Sequence, residues 1–180
     1  MTVLGLLLVL MACITACCAT VPEPFDPKSA TVRLQFDDNG VCSGTATGPN
    51  EITTASHCLS GRLLSVNGER TNMLHSRKVG RDITLIYVDR RNAHVAQWRD
   101  TPPVQGERIR YWGNPLGMRD MLREGYVSGQ QGDAYLVDVE IAPGDSGAAV
   151  FDSQGRIIGV VSAFGVSGPF RMAVIVRRDK

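Results

Sequence analysis

Short runs of alternating apolar and polar residues fill the chain from Thr31 onward, and Gly, Asn, Asp and Pro separate each run from the next. A period of two is typical of a strand with one buried face, and no stretch shows the 3.6-residue period of an amphipathic helix. The predicted strands are 31–36, 41–47, 51–55, 62–66, 72–76, 83–88, 108–112, 121–127, 134–139, 147–151, 157–163 and 171–176. The pattern therefore predicts an all-β protein.

A proline-containing segment, Asp100-Thr101-Pro102-Pro103, divides the predicted strands into two equal sets. Many short strands at regular spacing are typical of barrels and sandwiches. We therefore expect two six-stranded antiparallel β-barrels within a domain at 31–180. The first barrel covers about 31–98 and the second about 104–178.

The first 21 residues differ from the rest, because every charged side chain lies after residue 22. Three interpretations stay open for this apolar segment: a cleaved signal peptide, an uncleaved membrane anchor, or a lipoprotein signal in Ile14-Thr15-Ala16-Cys17 with Cys17 as the acylated residue. Residues 22–30 form a proline-rich linker. Each interpretation predicts an exported protein, either tethered to a membrane or free in the periplasm or outside the cell.

Charge and cysteine content limit which ligands and binding partners are expected. The 19 Lys and Arg residues are balanced by 18 Asp and Glu residues, so no nucleic-acid partner is expected. Outside the leader only Cys42 and Cys58 remain, and an even pair in an exported domain predicts a disulfide. The paired ligand spacing of a zinc site is lacking, so we expect neither a metal nor a cofactor.

Three segments carry candidate chemistry: Ser56-His57-Cys58, Arg81-Asp82-Ile83 and Gly144-Asp145-Ser146-Gly147. A serine hydroxyl is a poor nucleophile that needs a base, and the base needs an orienting partner. The chain order His, Asp, Ser is that of the chymotrypsin-type catalytic triad. His57 and Asp82 belong to the first half and Ser146 to the second, so the site is expected in the cleft between the barrels.

The body, from about Thr31 to Val176, resembles the trypsin-fold serine proteases, and most closely the compact protease domain of the HtrA/Deg branch. The likeness to the broad fold rests on TTASHC, DITLIYVD and GDSG. The likeness to the narrower branch rests on GNPLG at 113–117, EGYVSG at 124–129, VDVEIAPGDSG at 137–147 and GRIIGV at 155–160.

The resemblance implies a role for particular residues. Ser146 is the nucleophile, His57 the base and Asp82 its orienting partner, and the backbone N–H groups of Gly144 and Ser146 form the oxyanion hole. Ser162 is expected to bond the triad aspartate. Ser162, Ala163, Phe164 and Gly165 are expected to offer an edge to which a polypeptide substrate adds as a strand.

Glu140 has two interpretations. It falls six residues before Ser146, where trypsin-like enzymes place the base of their specificity pocket, which would favour Arg or Lys before the scissile bond. Alternatively it faces solvent, since the HtrA branch prefers small aliphatic residues.

The chain also departs from the HtrA branch. Asp145 replaces the usual Asn, and Ala148-Ala149 replaces the usual Gly-Pro. No PDZ domain follows, so regulation by peptide-triggered assembly is not expected. No Ile-Val-Gly-Gly sequence precedes Thr31, so activation through a new N-terminus that pairs with Asp145 is not expected either.

The function predicted from these residues is a serine endopeptidase that cleaves exported or envelope proteins. The rival is a catalytically silent trypsin-fold module that binds proteins, and an esterase with the same triad is less favoured. The oligomeric state stays open.

Overall fold

The structure is a computed structural model that describes residues 25–167 and 170–179. The leader, and with it the predicted lipidation of Cys17, lies outside the described residues. The strands are β1 (Thr31–Phe36), β2 (Val41–Gly48), β3 (Glu51–Ala55), β4 (Leu63–Val66), β5 (Glu69–Arg70), β6 (Met73–Gly80), β7 (Ile83–Val88), β8 (Arg108–Gly113), β9 (Met121–Gln131), β10 (Ala134–Val137), β11 (Ala149–Phe151), β12 (Ile157–Ser167) and β13 (Phe170–Val176). Three one-turn 3₁₀ helices complete the elements, at Pro27–Ala30, Ser56–Cys58 and Pro115–Gly117. The all-β prediction is confirmed.

The first seven strands form one antiparallel sheet in the order β5-β4-β1-β2-β3-β7-β6. Alternate residues of β1, such as Leu34 and Phe36, are buried in its apolar core together with Ile52 of β3 and Ile86 of β7. The sheet has seven strands where the pattern predicted six, because β4 turns back at Asn67-Gly68 and pairs with the two-residue β5. Asn67 and Gly68 both have positive φ, which such a turn requires.

The last six strands form a closed barrel in the order β10-β13-β12-β11-β8-β9, as the sequence predicts. Its core is a cluster of buried residues that includes Tyr111, Val137, Ile158 and Ile175. A separate apolar cluster joins the two halves, since Ile83 of β7 packs with Val160 of β12 and Val176 of β13. The two halves that form the walls of the cleft are therefore in direct contact through this cluster.

The segment between β7 and β8 is hydrogen-bonded to both halves of the molecule. Ala96 N–H donates to the Ala46 carbonyl of β2 (2.9 Å), and Ile157 N–H of β12 donates to the Gln97 carbonyl (2.8 Å). Arg99 pairs with Glu107 and with the buried Asp152. These bonds fix the orientation of the second barrel relative to the first sheet.

Strand β11 begins at Ala149, two residues later than the predicted start. Gly147 has a φ of +87°, and Ala148 N–H closes a turn onto the Asp145 carbonyl (3.0 Å). These residues are therefore a turn before the strand, and that turn carries Ser146.

Candidate active site

His57 and Asp82 meet at the end of a pair of neighbouring strands. Ala55 of β3 lies opposite Ile83 of β7, so the residues just beyond this pair come together. Ser56 N–H donates to the Asp82 carbonyl at 3.1 Å. His57 Nδ1 lies 2.7 Å from Asp82 Oδ2, and His57 N–H donates to Asp82 Oδ1 at 3.0 Å. Both carboxylate oxygens therefore hold the histidine, one through its ring and one through its backbone.

Ser162 adds a third bond to Asp82, because its hydroxyl donates to Oδ2. The register of β12 against β13 shifts between Val161 and Ala163, which leaves Ser162 outside the regular pairing. A bulge of this kind redirects a side chain. Burial raises the pKa of Asp82, but the bonds from Ser162 and His57 outweigh that effect and hold it below its usual range. Asp82 is thus kept as a carboxylate.

Ser146 lies in the turn between β10 and β11. Gly144 and Gly147 on either side have φ of +104° and +87°, a region that L-residues rarely adopt. A Cβ on Gly144 would lie 2.2 Å from the Asn114 carbonyl oxygen, and a Cβ on Gly147 would lie 2.2 Å from that of Ser43. Only glycine fits at these two positions, and the packing of the turn against its neighbours explains why.

Ser43 of β2 holds this turn from the first sheet. Its N–H donates to the Ser146 carbonyl (2.8 Å), and its hydroxyl donates to the Gly144 carbonyl (2.8 Å). The same hydroxyl accepts from the side chain of Asn114 at 2.8 Å. With both carbonyls engaged, the N–H groups of Gly144 and Ser146 have no acceptor among the described residues. The turn thus presents two adjacent free donors.

Asp145, next to Ser146, is fully buried. Its Oδ2 accepts from Ala142 N–H (3.0 Å), while its Oδ1 has no partner among the described residues. Burial raises the pKa of Asp145, and the Ala142 bond and the charge of Arg123 only partly oppose this. Arg123 lies opposite Tyr111 in the pairing of β8 with β9. The Tyr111 hydroxyl is also buried and has no hydrogen-bond partner among the described residues, and burial together with the Asp145 charge raises its pKa.

A pocket of about 470 Å³ contains the candidate residues. Its described lining residues are His57, Arg81, Asp82, Ile141, Ala142, Pro143, Ser146 and Ser162. The structure therefore brings the three predicted triad residues and Ser162 to one surface. The described side chains show no hydrogen bond between Ser146 Oγ and the His57 ring. A larger cavity of about 630 Å³ beside Trp98 is lined by neither a histidine nor a serine among the described residues, so we place the site in the smaller pocket.

The other predicted substrate-binding residues are not among the described lining residues of this pocket. Glu140 is exposed and does not line the described part of the pocket, whereas Ile141 does. Ala163, Phe164 and Gly165 continue β12 and pair with β13, while β11 pairs with β12 no further than Val160.

The predicted disulfide between Cys42 and Cys58 is confirmed. Cys58 ends the 3₁₀ turn that holds His57, so the bond ties this turn to β2. The described residues include no group of three or more His, Cys, Asp or Glu side chains that could hold a metal ion. Within residues 25–167 and 170–179, no helix has the length and apolar character that a membrane span needs.

Sequence reasoning missed Ser43 and Arg81. Ser43 lies next to Cys42, so a signal was available: a disulfide that ends beside His57 brings β2 to the site. Arg81 directly precedes Asp82 and lines the pocket, and its side chain pairs with Asp133 of the second barrel at 2.9 Å. Nothing in the sequence indicates that pairing, because Asp133 lies in a turn 52 residues away.

Comparison with known proteins places these features in a family. The model of the trypsin-like peptidase domain matches residues 42–160. "Serine protease Do-like HtrA" of Lactobacillus helveticus is 27% identical over 157 residues, which cover 75% of this chain and 37% of that protein. A "probable periplasmic serine endoprotease DegP-like" of Pseudomonas putida is 31% identical over 99 residues, which cover 49% of this chain and 21% of that protein. The chain thus spans about a third or less of the length of these relatives.

Solved structures share the fold. A protease from M. tuberculosis in its active form aligns with a TM-score of 0.71 at 15% identity, over 83% of this chain and 76% of that one. The serine endoprotease from Yersinia pestis aligns with a TM-score of 0.71 at 18% identity, over 85% of this chain and 62% of that one. At such identities the likeness concerns the fold alone, whereas the family match covers most of the chain. The chain belongs to the trypsin-like peptidase domain family.

Proposed function

We propose that this protein is a serine endopeptidase that cleaves exported or envelope proteins through a triad of Ser146, His57 and Asp82. The observation that carries the proposal is the 2.7 Å contact between His57 Nδ1 and Asp82 Oδ2 in a pocket that Ser146 also lines. In a catalytically silent module, nothing would require a histidine, an ionised aspartate and a serine to share one surface. This arrangement therefore favours the enzyme over the binding module.

The acid–base step follows from the bonds of Asp82. Because Nδ1–H donates to Asp82 Oδ2, the neutral His57 ring keeps Nε2 as an acceptor. Nε2 removes the proton from Ser146 Oγ as the oxygen attacks the scissile carbonyl, and the imidazolium then gives this proton to the leaving amine. Asp82 stabilises that cation without taking the proton. Catalytic hydrogen bonds often shorten only when substrate binds, which accounts for the missing Ser146–His57 bond.

The tetrahedral intermediate needs donors for its oxyanion. The N–H groups of Gly144 and Ser146 are suited to this role, because the carbonyls of the same residues are bonded to Ser43 and their amides are free. Removing one donor of such a hole typically costs about 10²–10³ in turnover. The contacts of Ser43 therefore matter for chemistry as well as for folding.

A polypeptide is the substrate that best fits the edge of β12. Beyond Val161 the described pairing of β12 is with β13 only, so its other edge is open beside Ser162. An extended peptide can add to this edge as a strand and bring its carbonyl to Ser146. An esterase would not need such an edge.

The class of substrate is inferred from relatives. The P. putida relative is described as periplasmic, and that name supports an exported protease. Ile141 and Ala142 line the pocket and favour an uncharged residue before the scissile bond, whereas a role for Glu140 stays a prediction.

The test is digestion of unfolded casein by the full chain with its disulfide intact. Fragments are expected from the parent and not from Ser146→Ala, and the residues at the cut sites separate the two interpretations of Glu140. If casein stays intact with a folded parent, or if Ser146→Ala cleaves equally well, the proposal is wrong.

A further inference from the structure

A second cleft, of about 340 Å³, lies away from the catalytic pocket and shares none of its described lining residues. The described residues that line it are Lys28, Ser29, Thr31, Arg33, Asn67, Asn114, Arg119 and Asp120. We call it the basic cleft. All eight are polar, and three cations face a single carboxylate. A concave, polar surface with excess positive charge attracts anions.

The cations of this cleft are not neutralised by the protein. Among the described residues, no carboxylate oxygen lies within 4.0 Å of the side-chain nitrogens of Lys28, Arg33 or Arg119, whereas the guanidinium groups of Arg62, Arg99 and Arg156 all have one. The Asp26 carboxylate bonds the backbone N–H of Lys28, at 3.1 Å. Arg33 Nη1 bonds only the amide oxygen of Gln35 (3.1 Å), and its buried Nε has no partner in the described chain. A buried donor without an acceptor is unfavourable, and a bound anion would satisfy it.

Two asparagines complete the cleft. Asn67 Oδ1 accepts from Arg33 N–H at 2.7 Å, so the amide of this exposed side chain keeps its N–H₂ donors for a ligand. Asn114 is fully buried; its Nδ2 donates to Ser43, and its Oδ1 has no partner among the described residues. The cleft therefore offers an acceptor as well as several donors.

This mixture of groups selects among oxyanions. Sulfate carries no proton at neutral pH and can only accept hydrogen bonds, so it leaves Asn114 Oδ1 unpaired. Hydrogen phosphate, or a phosphomonoester near its second pKa of about 6, has a hydroxyl that can donate to this oxygen. We propose that the basic cleft is a binding site for hydrogen phosphate and phosphomonoesters, with Lys28, Arg33 and Arg119 as the charge-bearing donors and Asn114 as the acceptor.

The position of the site gives it a connection to the turn of Ser146. Asn114 and Gly144 are both bonded to the Ser43 hydroxyl, at 2.8 Å each. A ligand on Asn114 thus lies two hydrogen bonds from the Gly144 carbonyl.

The test is calorimetric titration of the full chain with sodium phosphate and with sodium sulfate at equal ionic strength. We expect phosphate to bind at least about tenfold more tightly than sulfate, and the double variant Lys28→Gln, Arg119→Gln to lose at least about tenfold in phosphate affinity, since charge-assisted bonds are the strong ones. The matched control is Lys78→Gln, Arg91→Gln, which removes the same charge from exposed positions outside the cleft and should leave the affinity unchanged. Circular dichroism checks that each variant is folded.

A second arm distinguishes the sources of the phosphate group. Binding to vesicles of phosphatidylcholine with and without phosphatidic acid is compared between the parent and the cleft variant. A loss of binding to phosphatidic acid that is specific to the cleft variant identifies a lipid headgroup, and its absence identifies a free phosphate compound. The proposal is wrong if phosphate does not bind or if sulfate binds with equal affinity. It is also wrong if the control variant loses as much phosphate affinity as the cleft variant. Because the experiment measures binding alone, its result does not depend on the proposed protease activity.

Discussion

The histidine–aspartate pair and the turn of Ser146 satisfy their polar atoms in different ways. Both oxygens of Asp82 are bonded, and its neighbours keep it ionised. Asp145, next to Ser146, is buried with one oxygen unpaired among the described residues, and its pKa is raised. His57 is thus held by the side chain of Asp82, whereas Ser146 is held by its backbone, through Ser43 of the other half.

This difference indicates which function a substitution should impair at the His57–Asp82 pair and which at the turn of Ser146. A change at the pair should alter proton transfer and leave the backbone intact. A change at the turn should displace the N–H groups of Gly144 and Ser146, the proposed oxyanion donors, and leave His57 in place.

The largest loss is expected from Asp82→Asn. The amide keeps the shape but cannot hold Nδ1 as the donor, so His57 takes the wrong tautomer and kcat should fall about 10⁴-fold. Steady-state peptide hydrolysis measures it. Asp89→Asn is the matched control, because Asp89 bonds Asn72 away from the pocket. Equal activity of parent and Asp82→Asn would remove Asp82 from the triad.

Gly144→Ala tests the turn that carries Ser146. Its Cβ would lie 2.2 Å from the Asn114 carbonyl oxygen, so the turn must move and kcat should fall about 10²–10³-fold, with a smaller change in KM. Gly106→Ala is the control, since Gly106 has a φ of +82° but nothing within 4 Å of its Cβ position. If both variants lost activity equally, backbone strain alone would explain the result.

Ser162→Ala should have a smaller effect, about tenfold on kcat, because it removes one bond to a charged group while His57 stays bonded. That bond lowers the pKa of Asp82, so its loss raises the pKa. The stability that depends on ionised Asp82 is lost as the pH falls through its folded pKa, so acid unfolding of Ser162→Ala should begin at a higher pH than that of the parent. Ser162→Thr keeps a hydroxyl and should restore the parent behaviour; an unchanged acid-unfolding midpoint in Ser162→Ala would contradict the role of this bond.

The smallest effect is expected from Asp145→Asn, which should stabilise the fold by about 1 kcal/mol at neutral pH. A raised pKa means that the folded state disfavours the ionised carboxyl, so the cost of Asp145 is present above its folded pKa and vanishes below its unfolded value. The gain should therefore disappear below about pH 3. Urea unfolding at both pH values measures it, and a gain that is independent of pH would contradict this origin.

The sequence predicted the features that depend on local pattern. Alternation located the strands, and the segments around His57, Asp82 and Ser146 identified the triad candidates. It could not predict the role of Ser43, because its bonds to Gly144 and Asn114 join residues about 100 and 71 positions apart. Nor could it predict the unpaired oxygen of Asp145, which depends on how closely Gly113 approaches that carboxylate.

The central claim is that Ser146 is a nucleophile activated by His57. The most direct measurement is labelling of the full chain by a fluorophosphonate, with the modified residue located by mass spectrometry. The account predicts one adduct, on Ser146, that forms much more slowly in Asp82→Asn and does not form in Ser146→Ala. A folded, disulfide-intact parent that is not labelled, or is labelled on another residue, would contradict it.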